Sequence, residues 1–365
     1  MNHNYAVIMA GGMGSRFWPM SRANYPKQFL DILGTGQTLI QQTFKRIEKI
    51  IPHEHIYVVT SSDYIDLTKT QLPAIPKKNI LGEPERKNTA VSIAYTSFKL
   101  FKEDADASVI IAPADHLISD DEEFARACML ALNFVQSNNA LLTLGIKPTH
   151  ASTGYRYVQY DRNETDKDIF KVKAFKAKPG RELAMEYISG GDYLWNSGIF
   201  IWKAIDILSM LQKFLPQVYY LFNDELAALN TLFENNVIKK IYASWHDISI
   251  DSGVLEKADN VFIIPVSFAW SDLSTWNSAW ESMSKDENKN TVTGKNVMVV
   301  DSTNCVVHAP DNKLIVLQGL NDYIIIDTSD VLLICEKKKE QHIKEYIQQV
   351  RNKKGEQYLY TPGSS

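Results

Sequence analysis

The feature that most restricts the fold is a short apolar run that breaks into glycine: Tyr5-Ala6-Val7-Ile8-Met9, then Ala10-Gly11-Gly12-Met13-Gly14-Ser15-Arg16. A β-branched run of this length reads as a buried parallel strand. Gly11, Gly12 and Gly14 permit positive φ and let the backbone approach a ligand with no Cβ in the way. Successive amides exposed in such a loop form an anion-binding nest. Arg16 adds a fork of donors matched to phosphate oxygens, and Lys27 adds a mobile point charge. Pro19 and Pro26 stiffen the return of the loop. These residues predict a polyphosphate ligand. The pattern is not a P-loop, which ends in Gly-Lys-Ser/Thr, and Phe17 occupies the place of a dinucleotide fingerprint's third glycine. Stripped of its cations, the same Gly-x-Gly is also an ordinary βα turn.

The strand is followed by alternation. Thr38 to Ile51 carries Leu39, Ile40, Phe44, Ile47 and Ile50 at helical spacing, and Pro52 ends it. Ile56–Thr60, Asn79–Leu81 and Val109–Ala112 read as strands, with a polar helix to about Leu72 and a second helix from Val91 to Phe101 between them. Strands and helices in alternation predict a doubly wound, Rossmann-like α/β fold with a mainly parallel sheet. Ligands of such sheets bind beyond the carboxyl ends of the strands. Asp115, just after the strand Val109–Ala112, is a hard oxygen ligand of the kind magnesium takes; an aspartate there also serves as a turn or cap residue.

Composition excludes several classes. With 22% charged residues and a net charge of −4, the chain gives no reason to expect nucleic acid or an anionic membrane as partner. Cys128, Cys305 and Cys335 are scattered and odd in number, against a disulfide framework or cysteine zinc site. No apolar run approaches membrane length and no early segment reads as a signal peptide, which predicts a cytoplasmic protein.

The string Gly11-Gly12-Met13-Gly14-Ser15-Arg16-Phe17-Trp18-Pro19, with Ser21-Arg22 and Pro26-Lys27-Gln28-Phe29, resembles the signature loop of sugar-nucleotide pyrophosphorylases, specifically the mannose-1-phosphate guanylyltransferases. The resemblance covers roughly the first 335 residues and is to the short form without an isomerase domain. It implies a nucleotidyltransferase (GT-A-like) core with a mixed sheet and, beyond the polar linker Ser284–Asn290, a small all-β, left-handed β-helix-like module built from Val297–Val300, Cys305–Val307, Leu314–Leu317, Tyr323–Ile326 and Val331–Cys335. The expected division is residues 1–284, 285–345, and a terminal helix end and tail at 346–365, the last dozen residues disordered. Lys337-Lys338-Lys339-Glu340 reads as a solvated helix start.

By resemblance, GTP lies on Ala10, Gly11, Gly12, Gly14, Ser15 and the loop carrying Glu85, Arg86, Asn88 and Thr89. The same resemblance implies that mannose 1-phosphate is held by Gly154, Tyr155, Lys178 and Asn196, of which Asn196 also fits a turn ahead of Ser197-Gly198. It further implies magnesium on Asp115 and Asp272, and phosphate charge neutralised by Arg16, Lys27 and Lys178; a homodimer is expected. Three positions depart from the family pattern: Ala177 stands where a carboxylate is usual, Arg156 and Ala269 where glycines are. The departures leave open a different sugar 1-phosphate, or a catalytically weak regulatory paralogue that binds nucleotide sugars.

Overall fold

The computed structural model describes residues 3–362 and divides into two compact units. The first comprises residues 1–11, 44–113 and 118–270; the second comprises 12–43, 114–117 and 271–365. This division is not the linear one expected from the sequence. The glycine loop and the short Asp115 segment belong to the same unit as the C-terminal residues.

The first unit is built on a nine-stranded sheet. Its strands are β1 (Asn4–Ala10), β2 (Ile56–Ser61), β3 (Ile80–Glu83) and β4 (Ser108–Pro113), then, past the short β5 (Leu117–Ile118), β6 (Leu141–Ile146), β7 (Tyr157–Asp166), β8 (Ile169–Lys176), β9 (Tyr193–Lys203) and β10 (Val261–Val266). The order is β3-β2-β1-β4-β9-β6-β10-β8-β7. β3, β2, β1 and β4 run parallel, and β9 enters antiparallel between β4 and β6, so the sheet is mixed. Val7, Ile8, Val58, Val59, Val109 and Ile110 are wholly buried, as continuous apolar runs in a sheet covered on both faces must be. The first four strands and their helices match the sequence reading. Asn88–Glu103 forms one long helix, α3 after α1 (Leu39–Ile47) and α2 (Ile65–Gln71). Asp251–Leu255 forms a single wide π-helical turn.

The second unit contains parallel ladders of short strands. Past the short β11 (Trp270–Ser271), β12 (Thr291–Thr293), β14 (Val306–His308) and β16 (Tyr323–Asp327) stack in register, with β17 (Leu332–Glu336) antiparallel at their edge. β13 (Val297–Val300) pairs with β15 (Ile315–Gln318). This is the β-helix-like module. Phe17, Trp18, Ile32, Trp276, Val306, Ile324, Ile326 and Ile343 form one buried cluster in this unit, which explains why the loop belongs to it. Two expectations are corrected here. Lys337 is buried, its ammonium 3.4 Å from the Trp280 ring centroid, because the aromatic face compensates part of its desolvation. The tail is ordered through 362: the helix Ile343–Lys354 is followed by a helical turn, Glu356–Leu359, that buries Leu359. Residues 363–365 lie outside the described residues. No helix among the described residues is long and apolar enough to cross a membrane.

Candidate functional site

In the second unit, the loop chemistry converges on Lys27. Gly14 has φ 57°, and a Cβ there would lie 2.3 Å from the Lys27 Cβ, so both the turn and the lysine's position require glycine. Lys27 is 5% exposed. Its ammonium sits 2.7 Å from Asp115 Oδ2 and donates to the carbonyls of Asp272 (3.2 Å) and Leu273 (2.8 Å). The sequence suggested a mobile charge; the structure fixes it with three oxygens. Leu273 is wholly buried with φ 41°, a conformation a branched residue adopts only under constraint. That turn directs both carbonyls at one ammonium. The Asp272 carboxylate accepts from the Ser274 amide at 3.1 Å. Burial works to raise the Asp115 pKa, but the charges of Lys27 and His116 outweigh it and hold the carboxyl below its usual range. Arg16 donates its Nε to Gln341 Oε1 at 3.0 Å. Around Gly12 a Cβ would meet open space.

In the first unit, the last residue of β3, close to Gly11, is a carboxylate that sequence reading passed over. Glu83 is 7% exposed. Its Oε1 accepts from the hydroxyls of Ser92 and Tyr242 (the latter at 2.7 Å), while Oε2 lies 3.3 Å from the position a Gly11 Cβ would occupy. Burial raises its pKa against the opposing pull of Ser92, Tyr242 and Arg86. Two donors on one oxygen orient the carboxylate so that the other faces the glycine backbone. The neighbouring candidates are engaged with other protein groups. Arg86 donates to the Tyr64 hydroxyl at 2.6 Å, Lys87 pairs with Glu85 at 3.1 Å, and Thr89 Oγ1 accepts from the Ile250 amide at 2.8 Å. Asn88 opens α3 at φ 62°, its side chain accepting from the Thr89 amide at 2.9 Å.

A second group in that unit surrounds Asn196. Its amide Nδ2 donates to Asp251 Oδ1 at 2.7 Å, and its Oδ1 accepts from the Gly198 amide at 3.2 Å. Tyr155 packs against Trp195 (4.9 Å between ring centroids) and Trp270 (5.0 Å), and Gly154 donates its amide to Ser152 Oγ at 3.1 Å. Lys178 is exposed and makes no ion pair among the described residues. Asp251 was the second missed residue: its partner lies 55 positions away in sequence, and no local spacing signals the pair. Arg156 pairs with Glu256 at 2.9 Å. An ion pair this exposed contributes about 0–1 kcal/mol. Replacing Arg156 by glycine is therefore expected to leave kcat/KM for the sugar phosphate within about threefold, as steady-state assays of the variant check.

With this geometry described, comparison with known proteins assigns a class. Residues 5–289 match the family described as Nucleotidyl transferase, and residues 295–350 match a MannoseP isomerase/GMP-like beta-helix domain. The chain belongs to the nucleotidyl transferase family. It is 35% identical over 348 residues to the alginate biosynthesis protein AlgA of Pseudomonas aeruginosa, covering 93% of this chain and 71% of that protein. It is 33% identical over 357 residues to the mannose-1-phosphate guanylyltransferase of Escherichia coli, covering 96% and 75%. A solved structure from Thermus thermophilus, described as a mannose-1-phosphate geranyltransferase, superposes with a TM-score of 0.87 at 28% identity, covering 96% of this chain and all of that one.

Proposed function

We propose that the protein transfers GMP from GTP to mannose 1-phosphate, giving GDP-mannose and pyrophosphate. The observation that carries this reading is the buried Lys27 ammonium, fixed by Asp115 and the Asp272–Leu273 carbonyls, in a chain similar along most of its length to guanylyltransferases acting on that sugar. A phosphate oxygen of the sugar phosphate forms a bond to the α-phosphorus of GTP. The bond from that phosphorus to the β-phosphate bridging oxygen breaks, and pyrophosphate leaves with the electron pair. The nucleophile is already an anion, so no general base and no covalent enzyme intermediate are required. What the reaction needs is position and charge neutralisation.

Arg16 and Lys27 supply preorganised charge for the nucleotide phosphates, whose oxygens the amides of Gly11, Gly12, Gly14 and Ser15 bind. Lys178 meets the sugar phosphate. Asn196 and Asp251 offer a donor–acceptor pair to sugar hydroxyls. Magnesium fits the donor set: Asp115 and Asp272 offer hard oxygens, and Lys27 keeps Asp115 ionised as a ligand must be. The bound metal neutralises phosphate charge. Three buried free cysteines support a reducing, cytoplasmic setting, and exposed Met298, Val316 and Ile334 on the β-helix-like module support a homodimer. Incubation with GTP, magnesium and a panel of sugar 1-phosphates tests the reading. Mannose 1-phosphate should give the highest kcat/KM for pyrophosphate release; a higher value with another sugar phosphate replaces mannose in the assignment.

Glu83 gives the same reading its base specificity. Guanine presents N–H donors along one edge, and the free Glu83 Oε2 is an acceptor directed at the Gly11 backbone. Glu83→Gln is expected to lower kcat/KM for GTP roughly ten- to a hundredfold, the scale of a lost bond to a charged group at about 1.5–3 kcal/mol. The preference for GTP over inosine triphosphate, which lacks the exocyclic amine, should narrow with it. The pH dependence has a definite sign. Because the carboxyl pKa is raised by burial, protonation removes the acceptor at a higher pH than an ordinary glutamate would. KM for GTP should rise as pH falls through that range, and the glutamine variant should lack the rise. An unchanged nucleotide preference in the variant assigns Glu83 to packing alone.

A further inference from the structure

The glycine loop carries a second arginine, Arg22, beside the cations assigned to phosphate. It is 4% exposed, and its guanidinium is consumed by the C-terminal part of the chain. Nη2 donates to Asp330 Oδ1 at 2.7 Å and Thr328 Oγ1 at 3.2 Å; Nη1 donates to Asp330 Oδ2 at 3.2 Å and the Tyr358 carbonyl at 2.5 Å. Nε donates to the Pro19 carbonyl within the loop itself. A guanidinium has five donors in a fixed fork, and every nitrogen of this one is committed to protein oxygens. Arg22 is an anchor, with nothing left for phosphate.

The other end of the anchor is the segment after the last helix. The Trp18 indole donates to the Tyr358 carbonyl at 3.0 Å, and the Ala23 amide donates to the Leu359 carbonyl at 2.8 Å. Asn24 and Thr361 exchange two bonds, side-chain Nδ2 to Oγ1 at 2.7 Å and backbone N to Oδ1 at 2.9 Å. Residues 358–361 thus bond the loop at Trp18, Arg22, Ala23 and Asn24, midway between Arg16 and Lys27 in the chain. The strap carries a single buried apolar side chain, Leu359, so it is held chiefly by these polar bonds.

We propose that residues 356–361 are a positioning strap, anchored on Arg22, that holds the glycine loop and with it Arg16 and Lys27 in catalytic register. The catalytic half of this inference rests on the function proposed above; the structural half does not. Small displacements of positioned groups cost rate steeply, about a hundredfold for 1 Å. Binding of the sugar phosphate rests on other residues.

The test removes residues 355–365 and adds them back as a synthetic peptide of that sequence. Amide hydrogen exchange and steady-state kinetics are read on the full chain, the truncated chain, and the truncated chain with peptide. Truncation should speed exchange across residues 15–25 at least about tenfold while β1, β2 and β4 stay protected. It should lower kcat about ten- to a hundredfold with KM for mannose 1-phosphate little changed. The peptide should restore both, a rescue that general destabilisation would not show. Should the truncated chain fail to fold, the full-length double variant Asn24→Ala, Thr361→Ala gives the same pattern in smaller degree. Unchanged exchange at residues 15–25 in the folded variant overturns the strap; so does a kcat loss the peptide does not recover. Exchange is read without substrate, so an enzyme found inactive with GTP and mannose 1-phosphate would defeat the proposed reaction and leave the strap standing or falling on protection alone.

Discussion

Lys27→Ala will lower kcat for guanylyl transfer by roughly two to four orders of magnitude. Removing one preorganised donor from a developing anion costs about 2.7–4 kcal/mol, or 10²–10³ in rate. At Lys27 a second loss adds to the first. The ammonium holds Asp115 and two carbonyls, so the substitution also releases the Asp115 carboxylate and frees the Asp272–Leu273 turn. Lys27→Arg does not restore the wild type. The planar fork cannot take three oxygens converging on a point charge, and the lysine is packed against Gly14, where its own Cβ leaves no room for a side chain. Single-turnover rates with GTP and mannose 1-phosphate check the size of the effect. A loss under about tenfold in the folded variant would mean that Lys27 is structural and the phosphates bind elsewhere.

The carboxylates give the second large effect. In the proposed site both carboxylates serve one cation, so Asp115→Ala and Asp272→Ala should each reduce magnesium-dependent turnover by at least about 10³. Chelation of the metal should abolish turnover in the wild type, and added magnesium should restore it. The two variants should differ in stability. Asp115 neutralises a nearly buried lysine, so its removal leaves an uncompensated charge and should cost about 1–3 kcal/mol and several degrees of melting temperature. Asp272 holds Lys27 through its backbone carbonyl, which alanine keeps, and its carboxylate accepts from the half-buried Ser274 amide. Its variant should melt near the wild type. Thermal unfolding alongside magnesium titrations separates the two roles. Most of the magnesium-dependent rate surviving in either variant would remove that aspartate from the metal site.

The parts legible in the sequence were those in which chemistry and local pattern coincide. Tyr5–Met9 and Val109–Ala112 read as buried strands because both faces of a covered parallel sheet are apolar, so the run itself is the signal. Gly14 was legible because no other residue fits its φ and the lysine against it. The residues that sequence reading missed depend on distant partners. Glu83 was passed over as part of a loop because its neighbours Ser92 and Tyr242 come from α3 and from the helix Glu234–Ser244. Asp251 opens a turn with no spacing rule to tie it to Asn196. The tail looked disordered because it has few apolar residues, and its order comes from carbonyls that accept from Trp18, Arg22 and Ala23 more than 330 positions earlier, donors that leave no trace in local composition. Arg156 reads in the sequence either as part of an altered sugar pocket or as the partner of a nearby acid, and its guanidinium pairs with Glu256, 100 positions away.

The central claim, direct transfer of GMP to a sugar phosphate by a preorganised cluster of charge, is tested most directly with GTP radiolabelled at the α-phosphate, followed with mannose 1-phosphate and magnesium through a single turnover. All transferred label should appear in GDP-mannose, with an equal amount of unlabelled pyrophosphate and none bound to protein. Label retained on the chain after denaturation, or pyrophosphate released without labelled GDP-mannose, would contradict the account.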